Sequence, residues 1–252
     1  MKAEHITSHI QTAPLPTREG LGSGSFEVCT ASLYSVEQAV AGGARRIELC
    51  QALSLDGLTP SIGLLRTVRE RFPDLRIHVL VRSAEGPFVY SEAEVALMER
   101  DVHEAVLAGA DGIVVGALTP RGDIDLAATR RWVEAARGLP VTFHRAFDRC
   151  RHPSEALEQL IDLGCARVLT SGQAPTVADG IPLLGQLVEQ ASGRIIILAG
   201  GGVGSGNARH IIEATGITEI HGSASRLLPN GLKETDATEV RAILDAIHTI
   251  TR

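Results

Sequence analysis

Two short patterns in this sequence place a carboxylate and a thiol two residues apart: Glu27 with Cys29, and Glu48 with Cys50. In an extended strand side chains alternate between faces, so each pair projects to one side. A carboxylate among apolar neighbours is costly unless it is paired. Basic residues occur in similar settings: His78 and Arg82 in one stretch, His144 and Arg145 followed by Asp148 in another, and His221 in a third. If Glu27, Glu48, Arg82 and Arg145 converge, they supply one another's counter-charges. That arrangement reads in two ways. One is a buried ionic network that only fills a core. The other is a polar pocket in which His144 carries protons by its intrinsic pKa, either Glu is raised by its neighbour, and the arginines orient a carboxylate or phosphate substrate. Glu27, Glu48, Arg82, His144, Arg145 and Asp148 are therefore the candidate acid/base set, and their residue types name no reaction.

The thiols carry a second chemistry. If Cys29 and Cys50 end adjacent strands, about 4.8 Å apart, both sulfurs can reach one ion. Soft thiolates favour Cu(I), for which two sulfurs suffice. The alternative is that both are small buried hydrophobes, as free cysteines commonly are. Cys150 and Cys165 have no evident partner. The four cysteines form no Cys-x-x-Cys pair, which argues against a zinc ribbon or a disulfide scaffold and for a reducing compartment.

These residues need elements to position them, and a repeat supplies the frame. Gly43, Gly109, Gly164 and Gly216 each precede a β-branched residue by four positions (Ile47, Ile113, Val168, Ile220), and each follows an amphipathic stretch. A glycine just past a helix adopts the left-handed conformation and releases the chain into a buried strand. Between these joints lie four further strand candidates, 26–29, 76–82, 141–145 and 195–199. Helical patterns fill the intervals, for example 60–71, 92–108 and 153–163. Strand and helix thus alternate eight times in about 225 residues, near the roughly 250 of a (β/α)8 barrel. A doubly wound sheet is the other architecture considered, but the even spacing of the joints argues against its edge strands and crossover reversal. The expected organisation is an α/β chain with one TIM-barrel domain over 26–252, behind a flexible Pro/Gly/Ser-rich extension over 1–25 that contains His5 and His9.

The glycine run from Gly200 to Gly206 fits no register of G-x-G-x-x-G, so no nucleotide cofactor is expected. As the loop after strand seven it fits the place where barrels commonly hold phosphate. With the loop after strand eight it makes Gly201, Gly202 and Ser223 candidate anion-binding residues, the alternative being a tight helix start with no ligand. The net charge of −6 and only eight aromatics (Trp 1, Tyr 2, Phe 5) argue against nucleic acid as a partner. Lysine occurs only at Lys2 and Lys233, so neither a strand-borne Schiff-base lysine nor a Walker loop is present. No apolar run has the length of a membrane span, and residues 1–25 lack the compact apolar stretch of a signal peptide. A cytoplasmic protein without a membrane partner is expected.

Taken together, 27–29 (Glu-Val-Cys), 46–50 (Arg-Ile-Glu-Leu-Cys), 57–61 (Gly-Leu-Thr-Pro-Ser), Tyr90-Ser91, 141–148 (Val-Thr-Phe-His-Arg-Ala-Phe-Asp), 168–172 (Val-Leu-Thr-Ser-Gly), Gly200 to Gly202 and His221 resemble the CutC copper-homeostasis family over about residues 25–250. The resemblance implies a cytoplasmic, commonly homo-oligomeric (β/α)8 barrel linked to copper tolerance. It also implies Cu(I) binding, with the family's paired cysteines falling on Cys29 and Cys50. After strand three the chain departs from the family pattern: 82–88 keeps Arg82 but loses a second arginine and an aspartate. The segment 226–236 is shorter than in many members. Copper or a small anionic metabolite is thus the expected partner.

Overall fold

The computed structural model describes residues 24–229 and 231–248. Most of the expected N-terminal extension, with His5 and His9, lies outside the described residues. Ser25, assigned to that extension, instead opens the first strand, its amide donating to the Thr218 carbonyl at 2.8 Å.

Strands β1 (Ser25–Thr30), β2 (Arg46–Leu49), β3 (Arg76–Leu80), β4 (Gly112–Val115), β5 (Val141–Phe143), β6 (Arg167–Thr170), β7 (Ile196–Gly200) and β8 (Glu219–Gly222) form a closed barrel in sequence order. Helices α1 (Leu33–Ala41), α2 (Ile62–Arg71), α3 (Glu92–Leu107), α4 (Leu126–Ala135), α5 (Pro153–Asp162), α6 (Ile181–Ala191), α7 (Ala208–Thr215) and α8 (Ala237–His248) surround it. Every neighbouring strand pair is parallel, and β8 returns to β1. The fold is a (β/α)8 TIM barrel. One element was not foreseen, an antiparallel hairpin of β9 (Ser225–Leu227) and β10 (Lys233–Thr235) between β8 and α8.

Local chemistry explains the boundaries. The four joint glycines have φ of +99, +90, +80 and +74°, a region where a side chain would be strained. Ser91 caps α3 in a capping box with Glu94 and Ser61 caps α2, each accepting from an amide that a helix start leaves unpaired, and Pro153 opens α5, where its lack of an N–H leaves no bond unmade. The candidates over 76–82 and 141–145 end earlier than expected, because side chains replace the ladder. The Arg82 amide donates to Thr59 Oγ1 at 2.9 Å. His144 Nδ1 accepts the Ala146 amide at 3.1 Å and starts a 3-10 turn over Arg145–Arg149.

The apolar core lies between the sheet's outer face and the helices, where Val28, Ile47, Ile77 and Ile113 meet Leu65, Trp132, Leu157, Leu184 and Ile243. The inner face is different. Barrels of this class mostly fill that space with branched apolar side chains, but here it holds buried Glu27, Arg46, Glu48, His78, Arg167, Glu219 and His221.

Candidate functional site

Register decides which inward side chains meet. Glu27 lies opposite Arg46 on β2 and His221 on β8, Cys29 opposite Glu48, and Glu48 opposite His78. Glu27 is fully enclosed. Its Oε2 lies 2.8 Å from both Arg46 Nε and His78 Nδ1, and its Oε1 lies 3.0 Å from His221 Nδ1. Burial alone would raise this carboxyl, but the Arg46 charge and the two imidazole hydrogen bonds outweigh it and hold Glu27 well below the usual carboxylate range. Beneath it, Glu219 bridges Arg46 (2.6 Å) and Arg167 (2.8 Å).

Toward the carboxyl ends of the strands the network gives way to sulfur. The Cys29 and Cys50 sulfurs are 3.8 Å apart, and the Cys29 thiol donates to Glu48 Oε1 at 3.4 Å. The Cys50 thiol donates to the Thr30 carbonyl at 3.5 Å. Atoms of Cys29, Glu48 and Cys50 lie within 4.8 Å of one another, as do those of Glu27, Glu48 and His221. Burial raises the Glu48 carboxyl, the Glu27 charge adds to the rise, and His221 only partly opposes it. Burial disfavours a charged His221, but the Glu48 charge and the hydrogen bonds with Cys29 and Glu27 raise it well above its usual value. Cys29 is raised by its contact with Cys50, by burial and by Glu48, so the resting sulfur is a thiol.

The other candidates form separate groups. Arg82 does not counter either glutamate: its Nη1 donates to the Leu55 and Gly57 carbonyls at 2.7 and 3.0 Å. Arg145 pairs with Asp148 instead (2.8 Å). The expected convergence of Glu27, Glu48, Arg82 and Arg145 is therefore corrected, and Arg46 is the main counter-charge of Glu27. Alternation along β2 placed Arg46 on the side of Glu48 and Cys50, but nothing local told which carboxylate it meets. His144 packs on Phe88 at 4.9 Å between ring centres, and burial together with Arg82 lowers it to about 3. A neutral imidazole accepts and donates hydrogen bonds but is not charged near neutrality. Asp148 accepts from Thr170 Oγ1, from the Ser171 amide at 3.0 Å and hydroxyl at 3.0 Å, and from the Gln173 amide at 3.2 Å, which ties the turn after β5 to the end of β6. Gly201 and Gly202 have φ of +111 and +85°, and Ser223 Oγ pairs with Ser225 Oγ at 3.0 Å. A surface groove of about 440 Å³ between α5 and α6 contains none of these residues.

Residues 25–226 match the model of the CutC family. The chain belongs to that family. A CutC family protein from Bacteroides fragilis is 46% identical over 243 residues, covering 90% of this chain and 97% of the relative. The human copper homeostasis protein cutC homolog is 43% identical over 235 residues, 92% of this chain and 86% of the relative. The CutC crystal structure from Streptococcus agalactiae superposes with a TM-score of 0.76 at 32% identity, over 79% of this chain and 98% of that one. This CutC chain has, among its described residues, no helix long and apolar enough to cross a membrane.

Proposed function

We propose that this chain is a copper-homeostasis protein that takes up Cu(I) as cargo between Cys29 and Cys50. The observation that carries the reading is the 3.8 Å separation of two buried sulfurs at neighbouring strand ends. Metal–sulfur bonds of about 2.3 Å reach a common point between them, and paired thiolates select a soft monovalent ion. Glu48 stands beside Cys29, able to relay the thiol proton outward when the metal binds or to serve as a third ligand. The four cysteines are free, which suits a reducing cytoplasm. A homo-oligomer is carried over from family likeness and is checked by light scattering of the purified chain.

The test is an anaerobic titration with Cu(I) buffered by a chromophoric chelator. One ion per chain is expected, lost in the Cys29→Ser/Cys50→Ser variant. Undiminished uptake by that variant, or Zn(II) outcompeting Cu(I), would overturn the reading.

A second reading, an enzyme acting on a small anionic metabolite, is favoured by one observation. Glu27 and Glu48 are adjacent carboxyls displaced in opposite directions, a condition that suits acid/base work, and a two-thiol site requires neither. A thermal-shift screen of phosphorylated and carboxylated metabolites tests it; no stabilising compound would count against it.

A further inference from the structure

At the barrel mouth, on the side of β5, β6 and β7, one arginine is fixed more tightly than its exposure suggests. Arg145 is nearly half exposed, yet its Nε donates to Asp148 Oδ2 at 2.8 Å and its Nη2 to Ser171 Oγ at 3.1 Å. Asp148 is itself held by four donors from the end of β6, so the guanidinium plane is set by a buried frame. That leaves Nη1, whose protons no protein acceptor takes among the described residues.

The free edge faces the loop after β7. A Cβ placed on Gly201 would lie 3.1 Å from Ser171 Cβ, 3.4 Å from Arg145 Cζ and 3.5 Å from Nη1. Glycine therefore serves there for two reasons, the positive φ and the room for the guanidinium. The loop's amides fall into two sets. Farther along, the Gly204 amide donates to Asn207 Oδ1 at 2.9 Å, and the Ser205 amide and hydroxyl donate to the Glu239 carboxylate at 2.8 and 3.0 Å. The amides of Gly201 and Gly202 donate to no acceptor among the described residues. The protein thus fills half of this loop with a carboxylate of its own and leaves the half beside Arg145 open.

Besides Glu239, two carboxylates are near. Asp148 is committed as above, and Asp179 accepts from Thr176 Oγ1 at 2.6 Å on the side of Gly202.

We propose that Arg145 Nη1 and the amides of Gly201 and Gly202 form an oxyanion site that takes the phosphate group of a small phosphorylated metabolite. Donors come from two loops, and the guanidinium among them suits the oxygens of a tetrahedral phosphate. The site rests neither on the thiol pair nor on acid/base chemistry inside the barrel.

The experiment is a titration of the ¹⁵N-labelled full chain with inorganic phosphate and, separately, with methyl phosphate, each against sodium chloride at matched ionic strength. Saturable shifts of the Gly201 and Gly202 amides are expected with both ligands. The dissociation constant should rise about tenfold or more in Arg145→Gln and be unchanged in Cys29→Ser/Cys50→Ser. Gly201→Ala should abolish the response. Unmoved glycine amides in the wild-type chain, or equal affinity in Arg145→Gln, overturns the site, and the first readout needs no variant to fold. A response to inorganic phosphate but not to methyl phosphate overturns the assignment to a phosphorylated metabolite.

Discussion

Glu27 and Glu48 occupy neighbouring strands inside one barrel, and their carboxyls are displaced in opposite directions, Glu27 downward and Glu48 upward. Both are buried, which pushes both up. The difference is Arg46, which bonds Glu27 at 2.8 Å, whereas Glu48 bonds the Cys29 thiol. One carboxyl is thus a fixed anion and the other is poised to hold a proton.

Glu27→Gln is accordingly expected to destabilise the fold by about 3–5 kcal/mol, the usual cost of stranding the partners of a buried ion pair. Glu48→Gln keeps an oxygen for the Cys29 thiol and removes a charge that burial disfavours but that also supports a protonated His221, so its loss should be clearly smaller. Urea unfolding of both variants checks the contrast. Equal losses would show that Glu48 is as firmly ionised as Glu27.

His144 sets a pH dependence whose sign is fixed. Burial, reinforced by Arg82, lowers its pKa to about 3 in the folded chain, against about 6.5 when unfolded. Below pH 6.5 the unfolded state therefore binds the extra proton. Stability from this residue is lost as pH falls from about 6.5 toward 3, at no more than about 1.4 kcal/mol per pH unit. His144→Asn, which can still accept the Ala146 amide, should flatten that part of the wild-type curve. Proton NMR should find the His144 ring neutral at pH 5; an imidazolium there would contradict the assignment.

Two nearby glycines should respond to alanine with opposite signs. A Cβ on Gly180 would sit 1.8 Å from the Ser171 carbonyl oxygen, backbone against backbone, so Gly180→Ala is expected to cost about 3 kcal/mol or more. Gly185 lies within α6 with nothing within 4 Å of its would-be Cβ, so Gly185→Ala should stabilise by about 0.5–1 kcal/mol through helix propensity. Thermal melts of the two single variants decide it, and equal shifts would refute the packing around Ser171.

Cu(I) uptake should release protons. Because Cys29 is held as a thiol by Cys50, by burial and by Glu48, the metal must displace at least its proton to bind the thiolate. Apparent Cu(I) affinity is then expected to rise by about tenfold or more per pH unit between pH 6 and 8. Chelator competition at several pH values measures the slope, and a flat profile would mean that the sulfurs are not the ligands.

Much of the fold was legible because its signals are local. A glycine that ends a helix carries its reason in its own φ, and Gly43, Gly109, Gly164 and Gly216 all have the positive value the repeat required. The period of two likewise put Glu27 with Cys29, and Glu48 with Cys50, on shared sides without knowledge of any partner. The strand ends at Leu80 and Phe143 were missed, because the groups that replaced the ladder, Thr59 Oγ1 and His144 Nδ1, are side chains whose reach no propensity encodes.

The sequence by itself determined the alternation of strands and helices, the shared side of Glu27 with Cys29 and of Glu48 with Cys50, and the thiols at two strand ends. Only the tertiary structure decided which charge meets which. Closing the barrel brings His221 against Glu27 across 194 residues, and register, not periodicity, gives Arg46 to Glu27 and leaves Glu48 to the thiol. It also assigned Glu239 to Ser205 and left Gly201 and Gly202 beside Arg145. The physical reason is that periodicity belongs to one segment, whereas a pKa or a binding site depends on distances between segments that only packing fixes.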